Sequence, residues 1–164
     1  MSVPTVAVIG AGAAGLTAMK ALLDEGVNVT AFEKGDRVGG LWVKDNSSGL
    51  SPAYESLHLN TSKGRTQFAD YPMPAEWEDY PAATKVASYL AAYADEFGLT
   101  DHIHFSTTVE RVEKVVDAET GSELWEIEST DATGAVTVRH ADAVVVSNGH
   151  NWDPKWPSPA YPGT

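Results

Sequence analysis

Residues 5–33 read TVAVIGAGAAGLTAMKALLDEGVNVTAFE, and four patterns follow one another within them. Thr5–Ile9 is a short β-branched and apolar run, the signature of a buried strand. Gly10-Ala11-Gly12-Ala13-Ala14-Gly15 comes next, and then a helical stripe. Gly15, Ala18, Met19, Leu22 and Leu23 share one face of it, with Thr17, Lys20 and Asp24 opposite. Gly26 is placed to stop that helix, and residues 27–33 read as a second strand. Strand, glycine turn, helix and strand make a βαβ unit, with a right-handed crossover and parallel strands.

The glycine turn matches G-x-G-x-x-G in the context that gives the pattern meaning, a strand before and a helix after. Gly10 permits a tight turn, Gly12 lets a pyrophosphate approach bare backbone, and Gly15 lets helix and strand pack closely. The first turn of the helix, through Ala13 and Ala14, offers unpaired N–H groups and about half a positive charge to phosphate. Glu33 closes the second strand near the ~20-residue spacing at which an acidic side chain accepts hydrogen bonds from a ribose. A carboxylate there repels a 2′-phosphate. The site therefore suits FAD or NAD and disfavours NADP, with FAD and NAD both open at this point.

Composition narrows the partners. The chain has 164 residues, enough for one domain with a substantial core. Its net charge is −12, from 23 acidic and 11 basic residues, which repels nucleic acid and anionic membrane surfaces. Phosphate must then be held by backbone N–H groups more than by a basic patch. There is no cysteine, which excludes disulfide scaffolds, thiol catalysis and zinc–thiolate sites. No apolar run reaches the ~18 residues of a membrane span, and MSVPTVAVIG is no signal peptide, so a cytoplasmic protein is expected.

Downstream, residues 35–80 hold few periodic segments, and a loop region of that length is functional or disordered. A helix follows, with Val86, Tyr89, Leu90, Tyr93, Ala94 and Phe97 as its apolar stripe and Gly98 at its end. Strands are expected over 104–117, 124–129, 136–140 and 143–147. The first three form an antiparallel meander through 120-TGS-122 and 131-DATG-134, while the unalternating 144–146 returns to the parallel sheet. The expected fold is α/β, a Rossmann-like domain over 1–152 with a Pro-rich linker over 153–164. His102 and His104 lack a third metal ligand, no G-x-S-x-G occurs, and Asp95-Glu96 and Glu78-Asp79 read as solvated faces. No metal site is expected.

Behind Glu33 comes 34-KGDRVGGLW-42, a second glycine pair that allows another backbone stretch to lie against a long cofactor. Arg37 either neutralises a phosphate or is solvated. The order of G-x-G-x-x-G, Glu33, Gly39-Gly40-Leu41-Trp42 and then Tyr54-x-x-Leu57-x-x-Asn60-Thr61-Ser62-Lys63 resembles the flavin-containing monooxygenases. The likeness continues through Phe68-Ala69-Asp70-Tyr71-Pro72-Met73-Pro74 and 143-AVVVSNGHNWDPKWP-157. It covers the whole chain as the FAD-binding half of such an enzyme.

The resemblance implies a two-dinucleotide-binding-domain flavoprotein whose second domain is absent here. It implies FAD here, NADPH in the full-length enzyme, and oxygenation of a soft nitrogen or sulfur nucleophile through a C4a-hydroperoxyflavin. Asn60 is then the catalytic candidate, an uncharged amide able to donate and accept near the flavin; otherwise it caps a turn or helix start. Lys63 either approaches cofactor phosphate or is solvated. The cofactor-binding candidates are the glycine-turn residues, Glu33 and Lys34, Arg37 and 39–42, joined by Thr61, Ser62, Val109, Asn148 and Gly149, with His150 beside them. The family's Phe-x-Gly-x-x-x-His motif is missing, so the chain reads as an N-terminal fragment, inactive alone; the whole enzyme takes oxygen and a small nucleophile and could form a homo-oligomer. A Baeyer–Villiger-type monooxygenase, a non-catalytic FAD/NAD-binding module and a plain NAD-binding domain are the alternatives. Disulfide reductases of this fold need a Cys pair that this chain does not have.

Overall fold

The computed structural model describes residues 3–163. In chain order the elements are β1 (Thr5–Ile9), α1 (Ala13–Asp24), β2 (Asn28–Phe32), the one-turn α2 (Lys63–Thr66), α3 (Ala83–Glu96), β3 (Ile103–His104), β4 (Thr108–Val116), β5 (Glu123–Thr130), β6 (Val136–Ala141) and β7 (Ala143–Val146). The expected βαβ unit is present, with β1 and β2 parallel and in register from Thr5 opposite Asn28 to Ile9 opposite Phe32. β7 pairs in parallel with the other side of β1, and β3 with the far side of β2, giving the order β3-β2-β1-β7. The second sheet is the expected antiparallel meander, β4-β5-β6.

Strand side chains alternate between faces, and here each face meets a different layer. Val6 and Val8 of β1, with Val29 and Ala31 of β2, join Leu16 and Met19 of α1 and Val86, Leu90 and Tyr93 of α3. Ala7 and Phe32 point the other way, onto Ile127 and Ala141 of the meander. Three layers result: helices, parallel sheet, meander. Phe32 is 2% exposed, and burying a ring of that size contributes about 2–3 kcal/mol.

Two expectations are corrected. The single strand over 104–117 is two strands in different sheets. Ser106 takes a positive φ of 48°; its N–H donates to the Gly35 carbonyl, and Thr107 N–H donates to the Glu33 carbonyl. Those bonds pin the turn to the loop after β2 and send the chain across to the meander. The apolar stripe of α1 is also wider than its periodicity implies, because Leu16 is fully buried. That helix is flanked by both the sheet and α3.

Both meander turns are organised by one aspartate each. Asp117 Oδ1 accepts the N–H groups of Glu119 and Thr120, and Asp131 Oδ1 those of Thr133 and Ala135. No helix among the described residues is long and apolar enough to cross a membrane.

Candidate functional site

The carboxyl ends of β1, β2 and β7 open onto a cleft of about 990 Å³, bordered there by Ile9, Gly10, Phe32, Glu33, Val146 and Ser147. β2 and β7 lie on opposite sides of β1, so the chain's connections diverge at this edge. Open α/β sheets bind ligands at such a point. Gly10, Gly12, Ala13, Ala14, Glu33, Lys34, Gly39, Gly40, Leu41 and Trp42 all line the cleft, as do Val109, Asn148, Gly149 and His150. Gly15, Arg37, Asn60, Thr61 and Ser62 do not.

The glycines divide the work differently from their order in the motif. Gly10 has φ +100°, and a Cβ there would lie 2.6 Å from the Ser147 carbonyl oxygen of the chain leaving β7. At Gly15 a Cβ would fall 1.9 Å from the Gly10 oxygen, so α1 rests directly on the turn. Gly12 is extended, and a Cβ there first meets Gly40, with its Cα at 3.6 Å. Gly12 thus lines the cleft and also faces the second glycine pair. Gly39 N–H donates to the Ala11 carbonyl at 3.0 Å, closing the two bends on each other. The first turn of α1 has no side-chain cap and no acidic residue, which leaves its N–H groups available to an anion.

Glu33 sits between the bends, 8% exposed. Its Oε2 accepts the Ala11 N–H at 2.8 Å and its Oε1 the Gly35 N–H at 2.7 Å. The carboxylate thus ties the turn to the following loop, and each oxygen retains a lone pair for a ligand hydroxyl. Lys34 is an exposed cation on the cleft wall. Arg37 lies outside, in a two-point pair with Asp36 at 2.8 and 2.9 Å; that guanidinium holds the Asp36 carboxyl below the usual carboxylate range. Arg37 is therefore exposed, paired with a carboxylate and outside the cleft lining. His104 stacks on Phe32 with ring centroids 5.7 Å apart, and burial followed by the Arg139 charge lowers its pKa.

Residues 57–63 form a strap beside α3. Leu59 N–H donates to the Pro81 carbonyl, Lys63 N–H to Asp79, and Ala83 N–H to Leu57. The Lys63 ammonium donates to three carbonyls, those of Pro74, Ala75 and Trp77, which uses its full donor count. Lys63 is therefore neither solvated nor directed at a phosphate. It is an internal clamp. Asn60 and Thr61 are exposed, with Thr61 Oγ1 donating to Asn60 Oδ1 at 3.4 Å. Ser62 takes the N-cap position of α2 without a side-chain bond, and among the described residues the Asn60 side chain accepts from Thr61 Oγ1 and from no backbone N–H.

Sequence reasoning passed over one whole wall of the cleft, formed by Asn46, Ser48, Leu50, Ser51 and Pro52, and much of another over 107–112. The signal for the first was present in Asn46-Ser47-Ser48-Gly49. Asn46 Oδ1 accepts the Ser48 N–H, and Ser47 Oγ the Asp36 N–H. Such side-chain-built turns give a loop a fixed shape.

A parallel sheet with a glycine turn, a buried carboxylate and a cleft at the strand ends defines a dinucleotide-binding α/β domain. Over residues 4–164 the chain matches the FMO-like family, described as flavin-binding monooxygenase-like, and it belongs to that family. Flavin-containing monooxygenase 5 of Rattus norvegicus is 39% identical over 99% of this chain, which spans 31% of that relative's length. The solved structure of S-allyl-L-cysteine S-oxygenase from Allium sativum superposes with a TM-score of 0.79 at 30% identity, covering 96% of this chain and 39% of that one. An open form of cyclohexanone monooxygenase gives 0.72 at 27% identity, covering 91% and 27%.

Proposed function

We propose that this chain is the FAD-binding portion of a larger monooxygenase that uses NADPH and oxygen to oxygenate a soft nitrogen or sulfur nucleophile. The observation that carries the reading is the pair of glycine bends, hydrogen-bonded to each other around buried Glu33 at the mouth of the strands. The uncapped start of α1 would hold the pyrophosphate of FAD, and the free lone pairs of Glu33 would take ribose hydroxyls. Lys34 supplies positive charge to a chain of net charge −12. Leu41 and Trp42 close one side against water. When bound, the flavin supplies the redox and oxygen chemistry, and the protein binds and orients it. Asn60 is proposed, on the family likeness, to present its amide to the flavin's reactive end in the whole protein.

The test uses the whole protein. It should purify with a yellow flavin that NADPH bleaches without oxygen, and with oxygen it should convert a thioether or tertiary amine to its oxide. A colourless protein that binds NADH would make this a plain NAD-binding domain. The likeness to cyclohexanone monooxygenase favours a second reading, oxygen insertion beside a carbonyl. Lactone formation from a cyclic ketone, with the thioether untouched, would select it.

A further inference from the structure

Asn46 is 7% exposed yet lines the cleft. Its Oδ1 accepts the Ser48 N–H at 2.8 Å, which decides which end of the amide is oxygen. Its Nδ2 makes no hydrogen bond among the described residues, where every fully buried side-chain nitrogen or oxygen is paired. The free Nδ2 therefore meets open space, and the open space that Asn46 borders is the cleft. Its place along the cleft is set by Gly35. A Cβ on Gly35 would lie 2.6 Å from Oδ1 and 2.7 Å from Nδ2, so the amide lies flat against that bare backbone. The same Gly35 donates its N–H to Glu33 Oε1. The amide and the ribose-facing carboxylate are thus separated by one peptide. The loop is held for the purpose by Ser47, whose Oγ accepts the Asp36 N–H at 2.9 Å.

We infer that Asn46 is a cofactor-binding residue whose Nδ2 donates a hydrogen bond to an acceptor on the adenosine end of the dinucleotide, beside the ribose at Glu33. This rests on the flavin dinucleotide reading above. A donor that faces the cleft with no protein partner is free to bond a ligand acceptor, and ribose oxygens and adenine ring nitrogens both accept.

The experiment is calorimetric titration of the flavin-stripped whole protein with FAD, ADP and FMN, in wild type and in Asn46→Asp and Asn46→Ser. Both substitutions leave an oxygen for the Ser48 N–H and remove the donor; the second adds no charge. The expected result is an FAD and an ADP dissociation constant raised about five- to tenfold in both variants, with FMN affinity and melting temperature unchanged. Unaltered FAD and ADP affinities would overturn the inference and leave the flavin reading standing. An equal loss for FMN would also overturn it, since Asn46 would then only shape its loop. A wild type that binds no FAD would remove both.

Discussion

The glycine bends at Gly10–Gly15 and the strap at 57–63 are both short, loop-like carriers of the family's motifs, and they are fixed in opposite ways. In the first, position is set by atoms that are missing: Gly15 and Gly10 stand so close that a methyl on one would overlap the other's carbonyl. In the second, position is set by one added group, the Lys63 ammonium with three carbonyls around it. The first lines the cleft and the second stands outside it. The contrast shows that a polar motif can be chiefly scaffold. Most of the strap's chemistry is spent inside the protein, and what it presents outward is Asn60 and Thr61.

The largest expected effect lies in the first region, and it separates glycines that the motif treats as equals. Gly15→Ala puts a Cβ 1.9 Å from the Gly10 oxygen, which only a shift of α1 off the turn relieves. We expect more than about 3 kcal/mol of lost stability, or no folded protein. Gly12→Ala meets Gly40 at an ordinary 3.6 Å from an extended backbone, and should cost under about 1 kcal/mol. Chemical denaturation of the two variants checks this. If Gly12→Ala is as damaging as Gly15→Ala, the contact of Gly12 with Gly40 constrains the turn as tightly as that of Gly15 with Gly10.

A middle-sized effect belongs to the strap. Lys63→Met keeps the length of the side chain but leaves three carbonyls without their donor; about 2 kcal/mol should be lost. Amide exchange should quicken at Leu59 and Lys63, whose N–H groups bond Pro81 and Asp79, and not in β1. Asn60→Ala is the companion. Exposed and bonded only through Thr61 among the described residues, it should alter stability by less than about 0.5 kcal/mol. In the whole protein it should nonetheless divert NADPH consumption into hydrogen peroxide. Unchanged coupling would leave Asn60 without the proposed role, and a stable Lys63→Met would show that the three contacts are not a clamp.

The βαβ unit, the meander and the stripe of α3 were legible because each is a period in the sequence, and periods report which face is buried. The glycine turn and Glu33 were legible because a motif in its strand–helix context has few alternative structures. Three things were not. Lys63 carries no local pattern that distinguishes a solvated ammonium from one folded back on residues 74–77. The break between β3 and β4 rests on the backbone of Ser106 and its bond to Gly35, a contact across some seventy positions that no window contains. The wall at Asn46 was hidden in a polar loop, although an Asn followed two residues on by a free N–H is a turn signal in its own right.

The smallest effect separates the two regions by pH. Behind the strap, Tyr93 is 1% exposed and packs edge-on against Phe68, with ring centroids 4.6 Å apart. Burial first, and then the Asp70 charge, push its hydroxyl up to about 12 from an ordinary 10.0. Tyr89, on the same face of α3, is moved up as well, also chiefly by burial. A group that holds its proton more tightly when folded stabilises the fold fully below its unfolded pKa. That contribution declines as pH rises from about 10 towards 12, because the unfolded chain ionises first. The prediction is a melting temperature that falls over this alkaline window and falls less in Tyr93→Phe, which keeps the ring contacts and removes the proton. Lys20, bridging Asp24 and Asp70 over the Phe97 ring, has its pKa raised, first by its hydrogen bond to Asp24, so its contribution also declines with rising alkaline pH in both proteins. Amide exchange across the same window should quicken over 68–97 before it does in β1, whose neighbours on the sheet include no tyrosine. Loosening that begins at the glycine bends instead would mean that the two regions share one stability, and that the clamp and the missing side chains are parts of a single cooperative unit.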